Sequence, residues 1–206
     1  MYFKAFLFLF SPHLIIAQNT SIKQIRADHI KEIFVDGNQL FLIDVKTSRS
    51  NIISINSIVD GEYENEYQIF TSINGDRLDI KLEQIAFREI ADDKRNALKV
   101  IAAKLLLEIP QKKNLSIESD IGSVILNGSF NSISIQLQQG YCNLKGNTKE
   151  ALINTIDGNI NIQTGDAKIV SAVTNNGKVN IYPFKVKSSL YNLKSINGDI
   201  SIKMYQ

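Results

Sequence analysis

Few side chains in this sequence are suited to chemistry. One cysteine, Cys142, and two histidines, His13 and His29, are the entire supply of thiol nucleophile and imidazole base. A hydrolytic triad requires a histidine beside its nucleophile. His13 falls in an N-terminal apolar segment, and His29 reads as a surface residue near the start of a strand. Zinc needs a cluster of Cys and His ligands, which one of each cannot supply. Calcium needs only oxygens. Asp157, Asp166 and Asp199 lie near turns, and Glu62, Glu64 and Glu66 form an acidic cluster, but the regular aspartate spacing of a calcium-binding β-roll is missing. A polysaccharide lyase would need clustered carboxylates and a basic residue on one face, whereas Arg77, Arg88, Arg95, Lys178 and Lys187 are scattered. Gly158 and Gly165 come nearest to a phosphate loop and belong to a repeat instead. The expectation is a protein with no catalytic residues, no metal and no cofactor.

What positions Cys142 is a repeat. Five segments share the order glycine, any residue, apolar, any residue, apolar: they begin at Gly122, Gly140, Gly158, Gly177 and Gly198, at intervals of 18, 18, 19 and 21 residues. The first apolar position holds Val124, Cys142, Ile160, Val179 and Ile200. A second column lies five residues before each glycine: Ile117, Ile135, Ile153, Ala172 and Leu193. Alternating apolar residues face one side of a strand. Strands this short cannot bury that side alone. A recurrence near eighteen residues is one coil of a parallel β-solenoid (β-helix), with like residues piled on like. Cys142 then belongs to the core as a small hydrophobe rather than a nucleophile. An antiparallel meander is the second reading, since Gly128 and Gly146 could bound hairpins.

Between the core pairs stands an outward column: Ile125, Asn143, Asn161, Asn180 and Ser201. Stacked asparagines can hydrogen-bond along the stack. Asn143, Asn161 and Asn180 are also the candidate binding face, a flat polar surface of the kind a glycan or cell-surface component would meet.

Residues 1–17, MYFKAFLFLFSPHLIIA, read as a signal peptide, with Lys4 as the positive region and Ala17 at the cleavage position. The apolar run is too short to span a bilayer and is interrupted by Pro12 and His13. No cysteine follows it for lipid attachment. No later run is long enough for a transmembrane span. The expected address is exported, either periplasmic or extracellular at the cell surface. The formal charge of +2, with no basic stripe, sets nucleic acid aside. A hydrophobic share of 44% excludes a disordered chain.

The remaining chain, 18–97, reads as a β region that is either degenerate coils or a capping sheet, with the repeat over 98–206. Ile33–Val35, Asp36-Gly37 and Leu40–Val45 look like a hairpin. Ser72–Asp76 repeats the wording of Ser195–Asp199, Ser-Ile-Asn-Gly-Asp. Residues 89–109 fit either a helical stripe or a strand buried on one face, with Asp92–Asn96 as a polar turn and Pro110 as the stop.

The run Val100–Pro110, then Asn114–Val124 and the glycine coils after it, resembles the adhesin-like β-solenoid family of exported bacterial proteins, many of them domains of unknown function. The resemblance covers about residues 98–203, more weakly 30–85. It implies a strand for 98–109 and a non-enzymatic, surface-binding protein of the cell envelope. The alternatives are a carbohydrate-active enzyme on a β-helix scaffold and a structural subunit that self-associates end to end through Ile200, Ile202 and Met204 of the terminal coil.

Overall fold

The computed structural model describes residues 19–60, 67–85, 102–165, 167–182 and 189–204. The expected signal peptide, Glu62, Glu64, Glu66, Arg88, Arg95, Asp166, Lys187, the expected 92–96 turn and the expected boundary at 97/98 lie outside the described residues.

The described residues form strands and no helix. The strands are β1 (Asn19–Arg26), β2 (Glu32–Asp36), β3 (Leu40–Ser48), β4 (Ile52–Asp60), β5 (Tyr67–Asn74), β6 (Arg77–Gln84), β7 (Ala102–Pro110), β8 (Asn114–Ser119), β9 (Ser123–Ser129), β10 (Ser132–Gln139), β11 (Cys142–Asn147), β12 (Glu150–Asp157), β13 (Ile160–Thr164), β14 (Lys168–Thr174), β15 (Val179–Ile181), β16 (Leu190–Asn197) and β17 (Ile200–Met204). Among the described residues they make two mixed sheets. One has the order β1-β4-β7-β3-β9-β11-β13-β17-β15, the other β14-β16-β12-β10-β8-β2-β6-β5. Both sheets turn alternate residues inward onto a single apolar cluster that runs from Ala27 to Ile202.

From β8 onward the chain alternates between the sheets. β8, β10, β12, β14 and β16 enter one, and β9, β11, β13, β15 and β17 the other, with every pairing among them parallel. Val124, Cys142, Ile160, Ile200 and Val179 lie in one register line. Ile117, Ile135, Ile153, Leu193 and Ala172 lie in another, continued by Val35 and Ile80. The glycines before the strands stack in the same order. A Cβ on Gly140 would sit 2.4 Å from the Gly122 carbonyl oxygen, so backbones approach there as only glycine permits.

The order along the stack departs from the order along the chain. β16 and β17 come last in sequence, yet they lie between β12/β13 and β14/β15. The expectation that Ile200 and Ile202 form an exposed terminal edge is therefore corrected: both are fully buried, and only Met204 remains exposed. The side chains explain the exchange. β16 and β17 carry an unbroken inward set of Tyr191, Leu193, Ser195, Ile200 and Ile202, all fully buried, which suits a slot covered on both sides. β14 carries a register shift between Ile169 and Ser171, and β15 has only three residues. A bulged strand and a short strand are both suited to an edge.

The same exchange occurs at the other end, where β6 and β7 stack outside β2 and β3. The expected hairpin around Asp36-Gly37 is not formed. β2 pairs with β6 and β8, and β3 with β7 and β9, so Asp36-Gly37 is a corner between sheets. A Cβ at Gly37 would meet Ile43 and Ser119, and the crowding favours that sharp corner. β7 is a strand, with Ala103, Leu105, Leu107 and Ile109 inward. Its outer neighbours, β4 and then β1, are antiparallel, and β5 closes the other sheet antiparallel to β6.

Candidate functional site

Cys142 sits in β11 between Val124 and Ile160 with no exposed surface. Burial pushes its thiol up to about 12, so the thiolate needed for nucleophilic attack is disfavoured. His29 lies in the exposed bend between β1 and β2, beside Asp28. A hydrogen bond from Arg26 holds the Asp28 carboxyl below its usual range.

The aspartates near turns serve the corners of the stack. The Asn197 amide donates to Asp157 Oδ1 at 2.5 Å, and the Asn176 amide donates to Asn197 Oδ1 at 2.8 Å. Asp199 Oδ1 accepts the Lys178 N–H at 2.8 Å, and Asn159 Oδ1 accepts the Asp199 N–H at 2.8 Å. Each bond joins the turns of neighbouring strands, so these carboxylates and amides hold one corner against the next. Among the described residues no group of three or more His, Cys, Asp or Glu could hold a metal ion, and no helix is long and apolar enough to cross a membrane.

The asparagine column lies on the outer face of the nine-stranded sheet. Asn143 and Asn161 are register partners, and the Asn161 amide donates to Asn143 Oδ1 at 3.0 Å. Asn180 is not their direct neighbour, because Ser201 of the inserted strand separates it from Asn161. The resulting row is Ile125, Asn143, Asn161, Ser201, Asn180. It borders a groove of about 340 Å³ that crosses β9, β11, β13 and β17. Two positions further along each strand, on the same face, a second row lines it: Asn127, Lys145, Gln163 and Lys203. No carboxylate lines the groove among the described residues.

Reading the sequence for a single outward column missed that second row. The signal was available, since these four residues stand five places after Gly122, Gly140, Gly158 and Gly198. Residues two apart on a strand share a face, so the column beside the asparagines follows from period two.

The arrangement is an all-β protein whose built surface is a polar groove on a sheet face. No protein-family model matches the chain, and no curated protein matches it. Its fold is that of a candidate cell adhesion protein from Clostridium sporogenes, whose crystal structure matches at TM-score 0.66 and 14% identity over 92% of this chain and 100% of that one. Candidate adhesins from Bacteroides fragilis and Parabacteroides merdae align over 92% and 91% of this chain, at TM-scores of 0.42 and 0.34 and identities of 13% and 11%.

Proposed function

We propose that this protein is a non-catalytic module of the bacterial envelope that makes contact with surface polymers, an adhesin-like role. Its two sheets are the two sides of one parallel β-solenoid. Seven coils stack in the order β6/β7, β2/β3, β8/β9, β10/β11, β12/β13, β16/β17, β14/β15, and antiparallel strands close the end beyond β6/β7. The first seventeen residues direct export, to the periplasm or the cell exterior.

The observation that carries this reading is the in-register polar groove around Asn143 and Asn161. Every strand beneath it is paired on both sides, so its donors and acceptors are held in place before any ligand arrives. Pre-organised groups lose little entropy on binding. Neutral amides arranged in a row are suited to hydroxyl-rich chains, which both donate and accept hydrogen bonds. Asn180, past Ser201, extends the same face to the edge strand. The shared fold with the Clostridium sporogenes protein is consistent with a contact role and supplies no ligand.

The test is a polysaccharide and cell-surface binding array with the purified protein and an Asn143→Ala/Asn161→Ala variant. Retention on at least one surface polymer, weakened in the variant, is the expected result. Absence of binding to every polymer removes the proposal.

A further inference from the structure

We infer that the groove takes an acidic polysaccharide, lying across the strands along the stack. The inference rests on the surface-binding reading above and names its ligand class. Four observations carry it.

The first is charge. The groove presents the ammonium groups of Lys145 and Lys203 and no carboxylate among its described lining. Neither lysine enters an ion pair among the described residues: the five pairs found involve Arg26, Lys31, Arg77 and Lys81. Lys46, further along the same row, faces Glu108 across the sheet and shares its strand face with Asp44. The uncompensated positive charge therefore stops at the groove.

The second is spacing. Lys145 and Lys203 are on β11 and β17, with β13 between them. Two strand spacings are about 9.5 Å, measured perpendicular to the strands. That is close to the repeat of a polysaccharide bearing one acidic group on every second sugar.

The third is what fills the interval. Gln163 stands between the two lysines, and Asn143, Asn161 and Ser201 run beside them. Uncharged donors and acceptors between two cations match hydroxyl groups between two anions. Nucleic acid would call for aromatic platforms under its bases, and no aromatic residue lines the groove.

The fourth is the opposite face. The corresponding groove on the eight-stranded sheet, about 380 Å³, mixes Glu118 and Asp120 with Lys194 and carries no net positive character. The difference between the two faces predicts one-sided binding.

Titration calorimetry of the purified protein with three polymers tests this: hyaluronate, with one carboxylate per disaccharide; chondroitin sulfate, which adds sulfate; and dextran, which is neutral. Binding of hyaluronate or chondroitin sulfate that weakens with salt is expected, and the two arms separate carboxylate from sulfate preference. Lys145→Gln and Lys203→Gln should each weaken binding by about fivefold, as exposed ion pairs do. Lys194→Gln makes the same charge change on the other face and should leave affinity unaltered. Equal losses in all three variants would overturn the inference, because the attraction would then be diffuse. Dextran bound as tightly as the acidic polymers would overturn the ligand class while leaving the surface-binding proposal standing. No binding to any surface polymer would remove both.

Discussion

Replacing Gly158 by alanine should destabilise the protein more than its size suggests, and for a purely steric reason. The added Cβ would lie 1.8 Å from the Gly140 carbonyl oxygen and 2.6 Å from its carbonyl carbon. Both are backbone atoms, held by the Gly140 N–H to Asp157 carbonyl bond of 2.9 Å and by the Gly158 N–H to Asn197 carbonyl bond of 3.1 Å. No side chain can rotate away. The two backbones must part by more than ~1 Å at this corner, in a region otherwise packed at crystalline density. Overpacking of this kind costs about 3 kcal/mol, at the upper end of the usual range because the obstacle is backbone. For a chain of this length that lowers Tm by roughly 6–12 °C.

Gly75 supplies the control. Nothing lies within 4 Å of its added Cβ, and its φ of +64° alone opposes a side chain. Gly75→Ala should cost about 1–2 kcal/mol, and Gly75→Asn should recover part of that, because asparagine tolerates left-handed backbone. Gly158→Asn should be worse than Gly158→Ala, because it adds volume where there is none. Thermal unfolding followed by circular dichroism reads all four variants. A Gly158→Ala protein melting within a degree of the parent, or an asparagine rescue at position 158, would refute the stacked-backbone argument.

Further outcomes follow from the same core. Ile153→Ala empties a fully buried site between Ile135 and Leu193 and should cost about 2–5 kcal/mol by urea denaturation. Cys142 should fail to react with a thiol-specific reagent at pH 8 until denaturant is added, and Cys142→Val, close in shape and apolar, should cost under ~1.5 kcal/mol. Its thiol is an acid whose folded value, about 12, lies above the ordinary 9.0, so the folded state keeps the proton that the unfolded state releases. Stability from this group is intact below pH 9 and declines between 9 and 12 by about 1.4 kcal/mol per pH unit. The Cys142→Val variant should lack that share of the alkaline loss, and equal alkaline curves would count against a buried thiol. A chain ending at residue 188 lacks an interior layer rather than a terminal one. Limited proteolysis should then cut within 167–182, whereas the full chain resists there.

The apolar columns were legible because parallel strands in register set like residues beside like. The two apolar columns are written at intervals near eighteen residues and each is one register line, with the glycines of successive strands in close backbone approach beside them. The candidate site was half legible. Asn143 and Asn161 could be placed together from the repeat alone, whereas Lys145 and Lys203 required the neighbouring outward column to be read as well. Asn180 was assigned next to Asn161 on the assumption that strands pair in chain order, whereas Ser201 lies between them.

Local sequence determined strand and inward face in this protein: period-two alternation sets which side chains can be buried, and glycine sets where two backbones can touch. It left undetermined which strand lies beside which. Ser-Ile-Asn-Gly-Asp illustrates the division. At 72–76 it closes the β5–β6 hairpin with Gly75 in the left-handed region, and at 195–199 it carries the chain from β16 across the corner to β17 in the other sheet. The pentapeptide is the same, and the partner strands available to it decide between the two. The place of β16/β17 inside β14/β15 was settled likewise by tertiary packing: β16 and β17, with Tyr191, Leu193, Ile200 and Ile202 fully buried, gain more from a slot covered on both sides, so the bulged β14 and the three-residue β15 are left at the edge.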